Sequence, residues 1–486
     1  MKTNNFKILI LFILLIPFEL EAKSLKRGVS ENQFQFKAQM EALESGVGWY
    51  YNWANTVGRY LADTNYMEFV PMCWNANYNA DEIRSYCSSH PEVKYLLGFN
   101  EPNFTNQANM TPAAAAAAWP AVQALAKELG LKLVAPALNY SPNPPYQDPT
   151  KWMDEFVALV GNDAFDYLAI HCYGGFGVLK ELASTFHERY GKEVWVTEFC
   201  LWPNEGDPNS NVSQESQTAS LMQMVEWLEK TDWIYRYAWF KAIGDSNASK
   251  GPNYGLLISG KDEEERELSQ QGLVYLNLGD FNPDFYNSVN SEVAATDYIG
   301  QGNCLAGSTE DPECDSPIEI TRFNAGAWLD YQFDVPTSGE YVLTLRVTGE
   351  GEPVRFDPSI AVYSVKEDDS DGEALSETRN FTLPGDYVTY KEETFTLNLS
   401  AGKQTLRIKD MNQYQPSGIH ISCLKLTSKS GVDVLTELIG SNGRIDVYNL
   451  QGVKVKSNVD STEALTGLPA GIYVAGGKKI IISSVY

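Results

Sequence analysis

Metal and nucleotide signatures are missing from this 486-residue chain. Histidine occurs only four times, and the seven cysteines never fall in a C-x-x-C pair. A structural zinc site built on such ligand spacings is therefore not indicated. No G-x-G-x-x-G, no phosphate-binding G-x-x-x-x-G-K-[ST] and no G-x-S-x-G occurs, so dinucleotide, nucleotide and serine-hydrolase chemistry lack their usual marks. Basic residues are scarce: 37 Lys and Arg face 63 Asp and Glu, a net charge of −26. Such a surface repels a polyanion, which argues against nucleic acid as a partner. It says little about a neutral polysaccharide. No cofactor or metal is called for.

Long apolar runs are also few. The stretch from Ile8 to Pro17 is too short for a comfortable membrane span. Lys2 and Lys7 precede it and Ala22 follows, the layout of a secretory signal peptide over 1–22. A secreted or cell-surface protein without a transmembrane segment is expected. An odd cysteine count leaves at least one thiol unpaired. Cys304 and Cys314 flank a short loop and could close it, whereas Cys172 and Cys200 sit in apolar runs as buried thiols.

Hydrophobic residues make up 43% of the chain, enough for a sizeable core. Between Arg27 and about Tyr275, eight short apolar runs alternate with helix-like text. They are 27–30, 47–53, 68–74, 94–100, 132–137, 166–173, 193–199 and 236–240. One intervening helix opens with Thr111 as N-cap and Pro112 at its first position, and stops at Gly130. Pro120 inside it predicts a kink or a late start. Another spans about 214–230, with Leu221, Met224, Val225 and Leu228 on one face. Eight strands alternating with helices over about 250 residues fit a (β/α)8 TIM barrel, assigned to 23–280.

After about Asp280 the helical periodicity stops. Short alternating strands with turn residues predict an all-β sandwich of the jelly-roll kind over 281–428. A small C-terminal β domain follows over 429–486, with strands at 444–450, 453–455, 471–474 and 479–483.

A barrel of this kind carries its chemistry at the C-terminal ends of its strands. There the fourth run delivers Asn100-Glu101 and the seventh Thr197-Glu198. Two carboxyls at such a mouth suit glycoside cleavage by double displacement. One protonates the leaving oxygen, and the other attacks the anomeric carbon. Asn100 suits the sugar 2-hydroxyl. His171 or Tyr173, from the sixth run, suits a bond to the nucleophile, although His171 fits a satisfied core position equally well. Trp49, Trp53, Trp74, Trp202 and Trp239 offer flat faces for pyranose C–H groups. Strand tryptophans are often core residues, but barrel interiors favour branched aliphatics, which tilts strand-end tryptophans toward ligand contact.

At these residues the sequence resembles glycoside hydrolase family 128. The matching pieces are Lys26-Arg27-Gly28, Gly48-Trp49-Tyr50-Tyr51-Asn52-Trp53, Phe69-Val70-Pro71-Met72, Gly98-Phe99-Asn100-Glu101-Pro102-Asn103 and Trp195-Val196-Thr197-Glu198-Phe199. The resemblance implies a retaining endo-β-1,3-glucanase, with Glu101 as acid/base, Glu198 as nucleophile and a polysaccharide or oligosaccharide substrate. A retaining hydrolase of another β-glycan, and a non-catalytic glycan-binding surface protein, are the alternatives. The middle region is similar to family 6 carbohydrate-binding modules through Asn324 to Tyr331, Gly339-Glu340-Tyr341 and Gly418-Ile419-His420-Ile421. It departs from that pattern at Ala327 and His420. The tail resembles a type IX secretion sorting domain through Val447 to Gly452, Leu468 to Tyr473 and Lys478-Lys479-Ile480.

Overall fold

The computed structural model describes residues 24–482 apart from 33, 59–60, 62–65, 204–209, 245–252, 259–266, 351–355, 413–417, 430–443, 450–452, 461–463, 465–467, 469–470 and 476–477. The expected signal peptide and about a third of the tail signature (450–452 and 469–470) lie outside the described residues.

Eight parallel strands form the first sheet. They are β1 (Arg27–Ser30), β2 (Trp49–Tyr51), β3 (Glu68–Phe69), β4 (Tyr95–Leu97), β5 (Lys132–Leu138), β6 (Tyr167–Cys172), β7 (Val194–Phe199) and β8 (Ile234–Phe240). Their order is β3-β2-β1-β8-β7-β6-β5-β4. A parallel bridge between Met72 and Leu97 joins the two edges, with Cys73 N–H donating to the Leu97 carbonyl at 2.9 Å. The sheet is thus curled shut, and no edge is left for unwanted pairing. Helices α1 (Lys37–Glu41), α2 (Ala80–Ser89), α3 (Pro112–Leu129), α4 (Pro149–Val160), α5 (Phe176–Tyr190), α6 (Gln214–Lys230) and α7 (Gln270–Asn277) punctuate the strands. Among the described residues no helix separates β2 from β3.

Local chemistry sets the helix ends. Thr111 accepts the Ala114 N–H at 3.1 Å, and Gly130 closes α3 at φ 69°, a left-handed conformation that suits glycine. The helix starts at Pro112 and runs through Pro120, so the late start expected from that proline does not occur. In α6 the stripe of Leu221, Met224, Val225 and Leu228 is fully buried.

The interior of the barrel departs from expectation. Aliphatic layers do not fill its lower part; aromatic rings do. Trp49, Tyr95 and Trp195 stand edge to face at centroid distances near 5.1 Å, and Tyr235 stacks on Trp195. The Arg236 guanidinium lies 4.7 Å from the Tyr95 ring centre and 5.2 Å from that of Trp195. It is paired with Glu68 at 2.7 Å. Cation–π attraction and the ion pair together accommodate a charge inside an otherwise apolar plug. Trp49 is completely buried in this plug, and its indole N–H donates to the Lys26 carbonyl at 3.0 Å. Only a glycine fits beside it: a Cβ on Gly28 would lie 2.3 Å from the Trp49 ring.

The chain divides into two compact units. The first holds Met1–Trp202, Trp233–Ser249 and Tyr254–Gly272; the second holds Pro203–Asp232, Lys250–Asn253 and Leu273–Tyr486. The second unit is β-rich and largely antiparallel. Its longest strand, Ile318–Val335, pairs with Gly300–Ser308, Gly402–Asp410 and Ile419–Ser428. Leu329, Tyr331, Phe333, Leu345 and Ile421 supply its core. A four-stranded sheet of Arg444–Asn449, Lys454–Asp460, Gly471–Ala475 and Lys478–Ile482 follows.

Candidate active site

Strand alternation decides which side chains reach the barrel mouth. On β2, Trp49 and Tyr51 share the inward face, and Trp53 follows just beyond the strand. Trp53 holds a left-handed backbone at φ 58°. On β6, Ala169 and His171 point inward by the same rule. On β7 the rule fails usefully. Val196 lies opposite Ile170, but Glu198 lies opposite His171, so Thr197 is an extra residue in the ladder. That bulge turns Glu198 inward, where simple alternation from Trp195 would have sent it outward.

Glu101 follows β4 at φ 42°, also left-handed. Its own N–H donates to the Ala137 carbonyl at 2.9 Å, and Phe104 N–H donates to its carbonyl at 3.0 Å. These bonds hold a conformation that costs a non-glycine residue on the order of 1 kcal/mol or more. Two strained residues thus sit at the mouth of the barrel.

The two carboxylates meet over one imidazole. His171 Nδ1 lies 3.0 Å from Glu101 Oε1 and 3.2 Å from Glu198 Oε2. A carboxylate oxygen of each glutamate and a ring nitrogen of His171 all fall within 4.8 Å of one another. All three side chains are buried. His171 Nε2 has no hydrogen-bond partner among the described residues.

The surroundings of the two carboxylates differ. Glu198 Oε1 accepts from the Trp53 indole at 2.8 Å and the Tyr51 hydroxyl at 3.0 Å. Its Oε2 accepts from the Tyr173 hydroxyl and lies 3.2 Å from His171 Nδ1. Glu101 has the His171 bond and a long contact, 3.5 Å, from Asn139 Nδ2. Three hydrogen-bond donors converge on Glu198, with His171 close by, which favours its ionised form; Glu101 receives fewer.

Burial works in the opposite sense. It raises the Glu198 pKa above the ordinary carboxylate value, while the nearby His171 charge and the Tyr173 and Trp53 bonds hold it down in part. Burial also drives the Tyr51 and Tyr173 phenols well above the usual tyrosine range, so both remain protonated donors. For His171, burial disfavours the charged form, yet the two carboxylates outweigh it and the pKa rises.

Other expected site residues divide into two groups. Asn100 is buried; its Nδ2 donates to Gln107 Oε1 at 3.2 Å, and its Oδ1 has no partner among the described residues. That leaves an acceptor for a ligand hydroxyl. Trp202 is 37% exposed, stacks over Tyr254 and stands edge-on to Tyr173 and Phe240. Trp74 is half-buried beside Asn100, whose N–H its carbonyl accepts at 2.9 Å.

Trp49 and Trp239 do not belong to the cleft. Trp49 lies in the aromatic plug, below Tyr51 on the same face. Trp239 faces away from the barrel axis, fully buried against Phe199, with its indole N–H on the Tyr254 carbonyl at 2.7 Å. Three residues absent from the expected set line the site instead: Tyr51, Asn139 and Phe240. Asn139 directly follows the end of β5, a position the strand-end rule would have nominated.

Comparison with known proteins bears on this site. The sequence pattern of the glycosyl hydrolase catalytic core family matches residues 28–275, just over half the chain. Alkali-sensitive linkage protein 1 of Schizosaccharomyces pombe is 26% identical over 242 residues, covering 48% of this chain. The match spans only 41% of that relative's length. A GH128 (subgroup II) endo-β-1,3-glucanase from Pseudomonas viridiflava is 37% identical over 52% of this chain and 98% of its own, with a TM-score of 0.47. A GH128 (subgroup I) endo-β-1,3-glucanase from Amycolatopsis mediterranei, solved with laminaritriose, is 25% identical over the same shares, with a TM-score of 0.40.

Proposed function

The chain belongs to the glycosyl hydrolase catalytic core family and is a glycoside hydrolase, and from that premise we propose that it cleaves β-1,3-glucan internally with retention of configuration. The observation that carries the mechanism is the pair of buried glutamates, near enough for a carboxylate oxygen of each to lie within 4.8 Å of the other. Retaining enzymes keep their carboxyls about 5–5.5 Å apart, whereas inverting enzymes need roughly 6.5–9.5 Å to admit a water.

The unequal surroundings assign the roles. Glu198, held by three donors, attacks the anomeric carbon. Glu101 gives its proton to the departing glycosidic oxygen. A covalent glycosyl-enzyme forms, and Glu101, now ionised, takes a proton from the water that releases the sugar. His171 serves both stages. Its Nδ1 bonds Glu101 Oε1 at 3.0 Å and lies 3.2 Å from Glu198 Oε2, so it faces both groups as charge passes between them. The choice of β-1,3-glucan rests on the motif resemblance to family 128, with which the names of the similar glucanases agree.

Export through the N-terminal signal, and a jelly-roll carbohydrate-binding role for the β-rich unit, complete the proposal. Among the described residues no helix is long and apolar enough to cross a membrane. The test is release of reducing ends from laminarin, with β-1,4- and mixed-linkage glucans in parallel. Glu198→Ala and Glu101→Gln should each lose nearly all activity while keeping the wild-type circular dichroism. Full activity in either variant, or preference for a β-1,4-glucan, would overturn the assignment.

A further inference from the structure

The second unit holds a thiol pair that the hydrolytic site does not use. Cys314, in the loop between Gly300–Ser308 and Ile318–Val335, meets Cys423 on the strand Ile419–Ser428. Their sulfurs, together with a carboxylate oxygen of Glu292, all lie within 4.8 Å of one another. The two residues are 109 positions apart (423 − 314). Cys304 is not the partner of Cys314: its thiol faces the Gly302 and Trp328 carbonyls at 3.4 and 3.6 Å.

We propose that Cys314 and Cys423 form a disulfide that fastens the 309–317 loop to the β-rich unit. The loop is already seated for it. Buried Asp311 accepts two bonds from Arg346, at 2.7 and 2.8 Å, and one from the Ser422 hydroxyl at 2.6 Å. Arg346 also pairs with Glu313 at 2.9 Å. Cys314 Sγ then contacts the carbonyl of Ser422, the neighbour of Cys423, at 3.4 Å. The ion pair therefore seats the loop with the two sulfurs within 4.8 Å of each other, the proximity a bridge needs.

Access and acidity point the same way. Cys314 is half-buried and reachable, whereas Cys423 is buried behind it. The Cys423 thiol donates toward Cys314 and holds its pKa below the ordinary thiol value. Cys314 is thus the attacking thiolate. It displaces one thiolate from a small-molecule or protein disulfide and forms a mixed disulfide. Cys423 loses its proton and attacks Cys314 Sγ, expelling the second thiol of the oxidant. Two electrons and two protons pass from the pair to one external disulfide. An exported protein would meet such oxidants. A metal suits the cluster less well. It offers two sulfurs and one exposed carboxylate, and Glu292 already accepts the Asp315 N–H at 3.4 Å, whereas structural zinc takes four protein ligands.

The full chain, purified and equilibrated in a glutathione buffer poised as in the secretory pathway, is alkylated in denaturant without reduction, digested and read by mass spectrometry. The expected result is a Cys314–Cys423 linked peptide, with half-buried Cys87 alkylated as the internal control. Wild type should lose roughly 5–10 °C in melting temperature on adding reductant, the effect of opening a loop of about 100 residues. A C314S/C423S variant should show no such response. If that variant fails to fold, C314S alone should render Cys423 alkylatable. Both cysteines alkylated in the oxidised wild type, a Cys304–Cys314 link, or one equivalent of zinc that C314S removes would each overturn the proposal.

Discussion

Tyr51→Phe isolates one of the three donors around Glu198. Tyr51 is wholly buried, so its hydroxyl bears on the nucleophile without being a surface for sugar. The substitution deletes that hydroxyl and keeps the ring that stacks on Trp49. A hydrogen bond to a charged group is worth about 1.5–3 kcal/mol. The Tyr51 hydroxyl also has the Thr197 carbonyl within reach at 3.2 Å, so the lower end applies. At 1.36 kcal/mol per pKa unit, the loss raises the Glu198 pKa by about one unit. The sign follows directly. The lost donor favoured the anion, so the neutral form gains. Glu198 must be ionised to attack, and activity therefore fails as pH falls through its pKa. The acidic limb of the kcat/KM profile should move up by about one unit in Tyr51→Phe, with only a small change several units higher in pH. Initial rates of reducing-end release from a soluble β-1,3-glucan, taken across the whole pH–rate profile, would measure it. An unmoved acidic limb in a folded variant would refute the argument. So would inactivity at every pH, because it would make Tyr51 indispensable to the chemistry.

Two further outcomes follow from packing. Gly28→Ala drives a methyl into the buried Trp49 ring and should cost about 2 kcal/mol or more, read as a lower urea midpoint. Trp202→Ala removes an exposed ring from the rim and should raise KM for long glucans about three- to tenfold with little change in kcat, measured by steady-state kinetics.

The strands were legible in the sequence because a parallel barrel strand is buried on both faces and so stands out as an apolar run. The two glutamates were legible because they follow such runs. What stayed hidden was the depth of each side chain along the barrel axis. Trp49, Tyr51 and Trp53 share one face, yet only the last two reach Glu198; two residues of strand separate the plug from the chemistry. Trp239 was misjudged for a related reason, since its strand-end position does not tell which face it occupies. The cysteines failed differently. Closeness in sequence suggested Cys304 with Cys314, but the Asp311–Arg346 ion pair, formed across strands, decides which thiol Cys314 meets.

The extra residue at Thr197 makes the catalytic register a matter of parity. A strand counts its faces in twos, and one inserted residue changes odd to even from that point on. Removing a single codon there would leave every apolar position of β7 before it in place and every catalytic residue in the gene. Glu198 would then follow Val196 directly and stay opposite His171 in a regular ladder, whereas a β7 that kept Thr197 and paired it in register would turn Glu198 and all that follows toward the opposite face. For the same reason, an alignment whose gap slips by one position at this strand would pair Glu198 with an outward-facing residue and report an enzyme that had lost its nucleophile.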